Sequence, residues 1–403
     1  MTRGQARRRS LFIGAAGVGA AALLPPASAV AGPTVRTVPA GRPSPVPPVI
    51  RSREALTGAP RLRSALPITQ HGTTFNLAQV VRWLDAEHFA VGRWDGTMSI
   101  FDFETAPFAG PQVTDVVNTP SAQGVRMITP LPRRTLVTSN DEASLAVWVS
   151  RDAWTDVRRR ATVEYPAALG AAASGAWFAE PATLVVGHDS GYLSVWSFDP
   201  ASRALALVRT VDIRNPDPVN PFDSHVVYGL DRLVPAGAGA CAVAGSDDGY
   251  VSIVDVPSGA IRSQTVFNPA AQRGINSVAA RGDRLLVANC SVGADDDNLW
   301  YFAVNLTTGA LSLLDSMNLI IDPAEVQSFN FNTIWAEYGG GPCWFAGTEE
   351  GALWMGTAGA ALDLVGYQPL GDGAIGAALD YRRGPGRLAA VIHNLNQFTT
   401  GAP

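Results

Sequence analysis

The chain has 403 residues, 47% hydrophobic and 16% charged, with a formal net charge of −5 and three cysteines. That length and apolar content bury a large core, which excludes a disordered chain, and the acidic balance argues against a nucleic-acid partner, which needs a clustered basic face. An odd, sparse cysteine count excludes a disulfide scaffold, and the absence of any lysine excludes a Schiff-base lysine mechanism.

Residues 1–31 read as an export signal. Arg3, Arg7, Arg8 and Arg9 precede an apolar stretch from Leu11 to Leu24, and Ala27-Ser28-Ala29 and Ala29-Val30-Ala31 offer small-residue cleavage sites. Arg8-Arg9-Ser10-Leu11-Phe12 resembles the twin-arginine export motif, which implies a secreted or extracytoplasmic protein that folds before crossing the membrane. The stretch is shorter than the roughly 20 apolar residues of a spanning helix, and no Cys follows it to carry a lipid, so no membrane association is expected after signal removal. Loss of its four Arg takes the net charge from −5 to −9. Residues 32–61, with Pro43-Ser44-Pro45-Val46-Pro47-Pro48, show no hydrophobic period and read as a flexible segment.

From residue 62 to residue 403 short apolar runs alternate with turn residues and helical periodicity is nearly absent, so the domain is expected to be all-β. One turn recurs. Trp94-Asp95-Gly96-Thr97, closed by Phe101-Asp102, is echoed by Asp189-Ser190-Gly191-Tyr192 running to Trp196, Asp247-Asp248-Gly249-Tyr250 running to Asp255, and Glu349-Glu350-Gly351-Ala352 running to Trp354. A Gly-less copy, Asp141-Glu142-Ala143, runs to Trp148, and a fifth-unit copy is stretched into Val292 to Asn298. An acidic residue followed by Gly between strands is a hairpin signal, because Gly accepts the positive φ of a tight turn. Gly96, Ala143, Gly191, Gly249 and Gly351 lie 47, 48, 58 and 102 positions apart, the last gap holding two units. A repeat of about 50 residues with four strands predicts a seven-bladed β-propeller of four-stranded antiparallel blades. Innermost strands are expected at Ala78 to Leu84, near Met127, and at Ala176 to Ala179, Val226 to Leu230, Asn276 to Ala280, Phe329 to Trp335 and Ile375 to Tyr381. The seventh unit ends near Gln397 to Thr400 without an outer strand. A strand near Leu62 to Ile68 is expected to complete it and close the ring with the two ends of the chain.

The repeated units resemble the WD-repeat β-propellers over roughly residues 62–403. Phe101-Asp102 and Val254-Asp255 match the family's large residue followed by Asp, and Trp148, Trp196 and Trp354 keep the large residue; the family's Gly-His dipeptide before the innermost strand is missing. Arg158-Arg159-Arg160, the one tight basic run, reads as the solvated face of an outer strand. Trp83, Trp177 and Trp335 read as core between blades, whereas Trp94 occupies a turn. Cys241, Cys290 and Cys343 fall in apolar runs and are expected to be buried free thiols.

A propeller gathers its outer-to-inner connections and its second-to-third-strand turns on one face, around the mouth of a central channel. His71 and His225 are expected just before innermost strands and His188 and His393 at the turns; His88 falls on the opposite face. Arg126, Arg273, Asn330 and Asp372 are expected at the same mouth, with Gln123, Asp223, Asn276 and Gln327 around them. Converging amides, Arg and carboxylates could hold a small polar molecule or a protein partner, and that binding role is the expected function. The alternative is a hydrolase, lyase or cyclase using His with Asp or Arg. No cofactor is expected: His-x-His, His-Glu-x-x-His, paired-Cys and phosphate-binding Gly motifs are all missing, and Asp295-Asp296-Asp297-Asn298, whose oxygens would suit calcium, reads as a hydrated excursion. A monomer is expected.

Overall fold

The computed structural model describes residues 66–74, 78–103, 112–117, 124–140, 143–215, 224–233, 240–266, 274–290, 297–321, 329–371, 376–392 and 394–400. The expected export signal and Pro-rich segment lie outside them. The described strands form seven four-stranded antiparallel sheets, so the chain is a seven-bladed β-propeller.

From the innermost strand outward, blade one is Ala78–Trp83, His88–Arg93, Thr97–Asp102 and Gln112–Val117; blade two is Ile128–Leu131, Thr135–Asn140, Ser144–Ser150 and Val157–Glu164. Blade three is Ala172–Phe178, Thr183–His188, Tyr192–Asp199 and Ala204–Asp212; blade four is Gly229–Leu233, Cys241–Gly245, Tyr250–Asp255 and Ile261–Val266. Blade five is Ile275–Arg281, Arg284–Asn289, Leu299–Val304 and Leu311–Met317; blade six is Asn330–Tyr338, Gly341–Thr348, Ala352–Ala358 and Leu362–Pro369. Blade seven takes Ala377–Arg382, Arg387–Ile392 and Asn394–Thr399 from the end of the chain and its outermost strand, Thr69–Thr74, from the beginning.

Each blade packs its two faces on its neighbours, and the core divides accordingly. Blades three and four, for example, share Ala176, Phe178 and Val185 with Val227, Ala242 and Val254, and blades seven and one share Ala389 and Leu395 with Val81 and Phe89. Second strands are therefore covered on both sides, which is why Thr183–His188 and Cys241–Gly245 are buried at every position and read as continuous apolar runs. The outer strand Val157–Glu164 has one uncovered side and carries Arg158, Arg159 and Arg160 exposed, as the sequence implies. In every blade the register slips once between third and fourth strands, as at Val195/Trp196 and Ile253/Val254. Such a bulge adds right-handed twist and swings the outer strand away from the strand beneath it.

The acidic-Gly turns behave as expected: Gly96, Gly191, Gly249 and Gly351 have φ of 81°, 77°, 82° and 80°. Ala143 adopts φ 47° in the Gly-less copy, so the shared turn geometry is imposed there on a residue that disfavours it.

The seam differs from expectation in its position. Leu66 is buried in the core between blades six and seven, with Ile68 packed against it, and the closing strand starts only at Thr69. Its register runs from Thr69↔Thr399 to Thr74↔Leu395. The apolar run thus plugs a core, while the polar sequence Thr-Gln-His-Gly-Thr-Thr makes the ladder with its backbone. In blade four the innermost strand begins at Gly229 rather than Val226, which leaves Tyr228 in the preceding loop.

Candidate binding site at the channel mouth

Antiparallel pairing puts the turns near residues 94–96, 189–191, 247–249 and 349–351 on one face, together with the residues leading into the innermost strands. Three blades meet there around Tyr228. Arg126, entering blade two, donates from Nη1 to Asp189 Oδ2 at 2.9 Å, and its Nη2 lies 2.8 Å from Oδ1. This ion pair, with one hydrogen bond, holds the guanidinium, which stands 5.8 Å from the centroid of the Tyr228 ring. Tyr228 exposes 41% of its surface, yet protein groups crowd its hydroxyl. Burial pushes that hydroxyl up to about 12, with Arg126 opposing and Asp247, Asp189 and Cys290 reinforcing. Burial likewise raises the Asp247 carboxyl; the Ser224 hydroxyl works against the shift and the neighbouring Asp248 charge adds to it.

The histidines divide by environment. His188 is fully buried: Nε2 lies 2.7 Å from Ser194 Oγ, and Nδ1 lies 3.4 Å from the Gly170 carbonyl. Trp196 Nε1 donates to the same Ser194 oxygen at 2.7 Å. Ser194 therefore gives its proton to Nε2, and the neutral imidazole turns its own N–H toward Gly170. Burial lowers the His188 pKa to about 4, against the pull of the Gly170 carbonyl. This ring ties the mouth loop to blade three and presents no surface to a ligand. Comparable indole ties run from Trp148 to Thr138 at 3.0 Å, Trp300 to Asn289 at 3.1 Å and Trp354 to Thr348 at 3.0 Å, so buried relays exist although the Gly-His dipeptide is missing.

His225 does stand before an innermost strand. Its Nδ1 is 2.9 Å from Asp248 Oδ2, and the fully buried Asp248 also accepts from Ser246 Oγ and from the Asn215 backbone N–H at 2.9 Å. A carboxylate with so many donors anchors the loop that carries Tyr228. His71 is elsewhere: it sits within the closing strand, the outermost of blade seven, with Nε2 2.7 Å from Thr399 Oγ1 and its ring edge-on to Phe103 at 5.9 Å. Thr399 ends its strand away from the hairpin connection, so His71 lies toward the opposite face. The expectation fails because the strand that absorbs His71, Thr-Gln-His-Gly-Thr-Thr, is polar throughout and lacks the apolar alternation that marks a strand. His88 is on that opposite face as expected, between Asp85 at 2.9 Å and Asp102 at 2.8 Å.

Asn330 is fully buried, donating from Nδ2 to the Asn298 carbonyl at 3.1 Å, and its own carbonyl accepts from Asn276 Nδ2 at 3.0 Å. Both amides tie blade five to blade six under the mouth. Asn298 spends its amide on both backbone groups of Leu319, and Asp295 and Asp296 lie outside the described residues. Arg273, Asp372 and His393 also lie outside them, as do Gln123, Asp223 and Gln327. Among the described residues no group of three His, Cys, Asp or Glu is placed to hold a metal ion, and no helix is long and apolar enough to cross a membrane.

Cys241 and Cys343 are buried, and burial raises both thiols, Cys343 to about 12. Cys290 is instead half-buried at the mouth, 3.5 Å from Asn276 Nδ2. Tyr228, Asp189 and Asp247 carry no sequence signal of a site: Tyr228 falls within the apolar run Val226 to Leu230, and the two acids belong to the recurring turn. Trp83 and Trp335 act as inter-blade ties: each indole N–H donates to the preceding blade, to Asp380 O at 3.1 Å and to Ala279 O at 3.0 Å.

No family model and no curated protein matches the sequence. Solved structures do resemble the fold. A chain of the mitotic checkpoint complex is similar with a TM-score of 0.59 and 15% identity, covering 86% of this chain and 97% of that one. The beta-propeller domain of Myceliophteria thermophila Cps50 (Swd1) has a TM-score of 0.57 and 15% identity over 82% of this chain and 98% of that one. The Neurospora crassa Pan2 WD40 domain has a TM-score of 0.57 and 11% identity over 83% and 96%. These likenesses, all at 15% identity or below, show the shared β-propeller fold.

Proposed function

We propose that the chain is an exported binding module whose channel mouth holds a small ligand or a protein partner, with Tyr228 at the centre of the contact. The observation that carries this reading is the exposed Tyr228 ring, flanked by Arg126, Asp189 and Asp247 from three blades. A large aromatic surface among a few fixed polar groups is the composition of a binding site, and leaving it bare to water is unfavourable. The propeller fold fits a binding or scaffold role, and one similar chain belongs to a named complex. Arg8-Arg9 and the apolar stretch behind them support export. The catalytic alternative rests on the 2.9 Å His225–Asp248 contact, whose carboxylate is fully buried and shared with Ser246 and Asn215.

A photo-crosslinking residue introduced at position 228 in producing cells tests the mouth, with position 152, an exposed turn on the opposite face, as control. Adducts at 228 that are missing at 152 are expected; equal yields at both positions overturn the reading. Replacing Arg8 and Arg9 together by Lys tests export, with accumulation of the intact precursor inside the cell expected.

A further inference from the structure

We propose a second ligand site on the face opposite the mouth, in the cleft between blades five and six, for a carboxylate carried on an aromatic or large apolar body. The cleft encloses about 260 Å³, room for one large side chain. Its apolar wall is Trp335, half-buried, with Tyr301 behind it at 6.1 Å between ring centroids. The polar atoms of both rings are already bonded inside the protein: Trp335 Nε1 donates to Ala279 O and Tyr301 Oη to Gly359 O, each at 3.0 Å. The Trp335 ring surface is therefore what a ligand meets, and that surface favours an apolar body.

The other wall is cationic. Arg281 donates to Ala336 O at 3.1 Å and to Glu337 Oε1 at 3.3 Å, which holds its guanidinium in place. Arg284 donates to Asp283 Oδ2 at 2.6 Å. Each guanidinium has five N–H donors, more than these bonds consume. The lining thus carries two guanidinium groups and the carboxylate of Asp283; each cation is ion-paired, Arg281 with Glu337 and Arg284 with the 58%-exposed Asp283. An incoming carboxylate can take charge-assisted hydrogen bonds from the N–H groups left over on Arg281, which is tied to the next blade, and on Arg284, next to an apolar wall. That juxtaposition favours an anion over a neutral ligand, which gains no charge-assisted bond.

Gly359 supplies the means of testing this. A Cβ there would meet no atom within 4 Å, and its backbone is not left-handed, so this lining position accepts a side chain without strain. The full chain is titrated by saturation-transfer NMR with N-acetylphenylalanine, with its amide, and with a peptide ending in a free phenylalanine carboxylate. Expected results are saturable binding of the acid, at least tenfold weaker binding of the amide, and at least tenfold loss in both Gly359→Leu and Arg281→Ala. Arg284→Gln, at a more exposed position, gives the same readout if either variant misfolds. Tighter binding of the peptide than of the free acid identifies a chain end as the source, and the reverse identifies a small acid; both support the site. Equal binding of acid and amide, no binding of either, or full binding by Gly359→Leu overturns it.

Discussion

Lowering the pH from 7 to 4.5 should destabilise the protein through His188. The folded ring has a pKa of about 4 and the unfolded one 6.5. Between those values the unfolded chain holds a proton that the native state refuses, so stability is complete above pH 6.5 and falls as the pH drops toward 4. At about 1.4 kcal/mol per unit of difference, the loss attributable to this ring is roughly 2.5 kcal/mol at pH 4.5. Urea melts of the wild type and of His188→Gln at both pH values isolate it. The amide can accept from Ser194 and donate to Gly170 but does not titrate, and carboxylates titrating elsewhere cancel in the comparison. The variant should therefore lose about 2.5 kcal/mol less than the wild type on acidification. Identical pH dependence in the two proteins, or an imidazole titrating above pH 6 by NMR, would refute the burial argument.

Ser194→Ala removes the oxygen shared by Trp196 and His188 and strands two buried polar groups, a loss of about 2–4 kcal/mol readable as a lowered urea midpoint. Ala143→Gly relieves the left-handed alanine and should stabilise by about 1 kcal/mol. Gly191→Ala should cost about 2 kcal/mol, because its Cβ would fall 2.3 Å from Arg214 Cγ and 2.9 Å from His225 Cβ at φ 77°; thermal melts compare the two. His88→Ala breaks contacts to Asp85 and Asp102 whose carboxylates are partly solvated, so a smaller loss, about 1 kcal/mol, is expected in the same assay.

The blades were legible because their hairpins need a positive φ that Asp-Gly and Glu-Gly advertise, and because second strands such as Thr183–His188 are buried on both sides and must be apolar. The closing strand was not, since an outermost strand is held by its backbone, and that places little demand on its side chains. The candidate site was harder still. Arg126 and His225 were found because charged residues in mouth loops stand out, but whether a histidine is a ligand or a tie depends on its neighbours. Ser194 for His188 and Asp248 for His225 lie only 6 and 23 residues away, yet nothing in a one-dimensional pattern marks them as partners. Tyr228 was hidden by a boundary error of three residues, which turned an exposed ring at the rim into a strand residue.

The seam in blade seven also sets an order of events. Thr69–Thr74 is the earliest strand of the ring to leave the ribosome and pairs with the latest, across contacts such as His71 to Thr399, 328 residues apart. Until the carboxyl-terminal hairpin is synthesised, that first strand has no partner, and the circle cannot close however complete the six intervening blades are. Such non-local pairing is slow to form. Ribosome-stalled chains released just short of residue 394 should remain open crescents with a protease-sensitive leading segment, and chains that include the final strand should become resistant in one step.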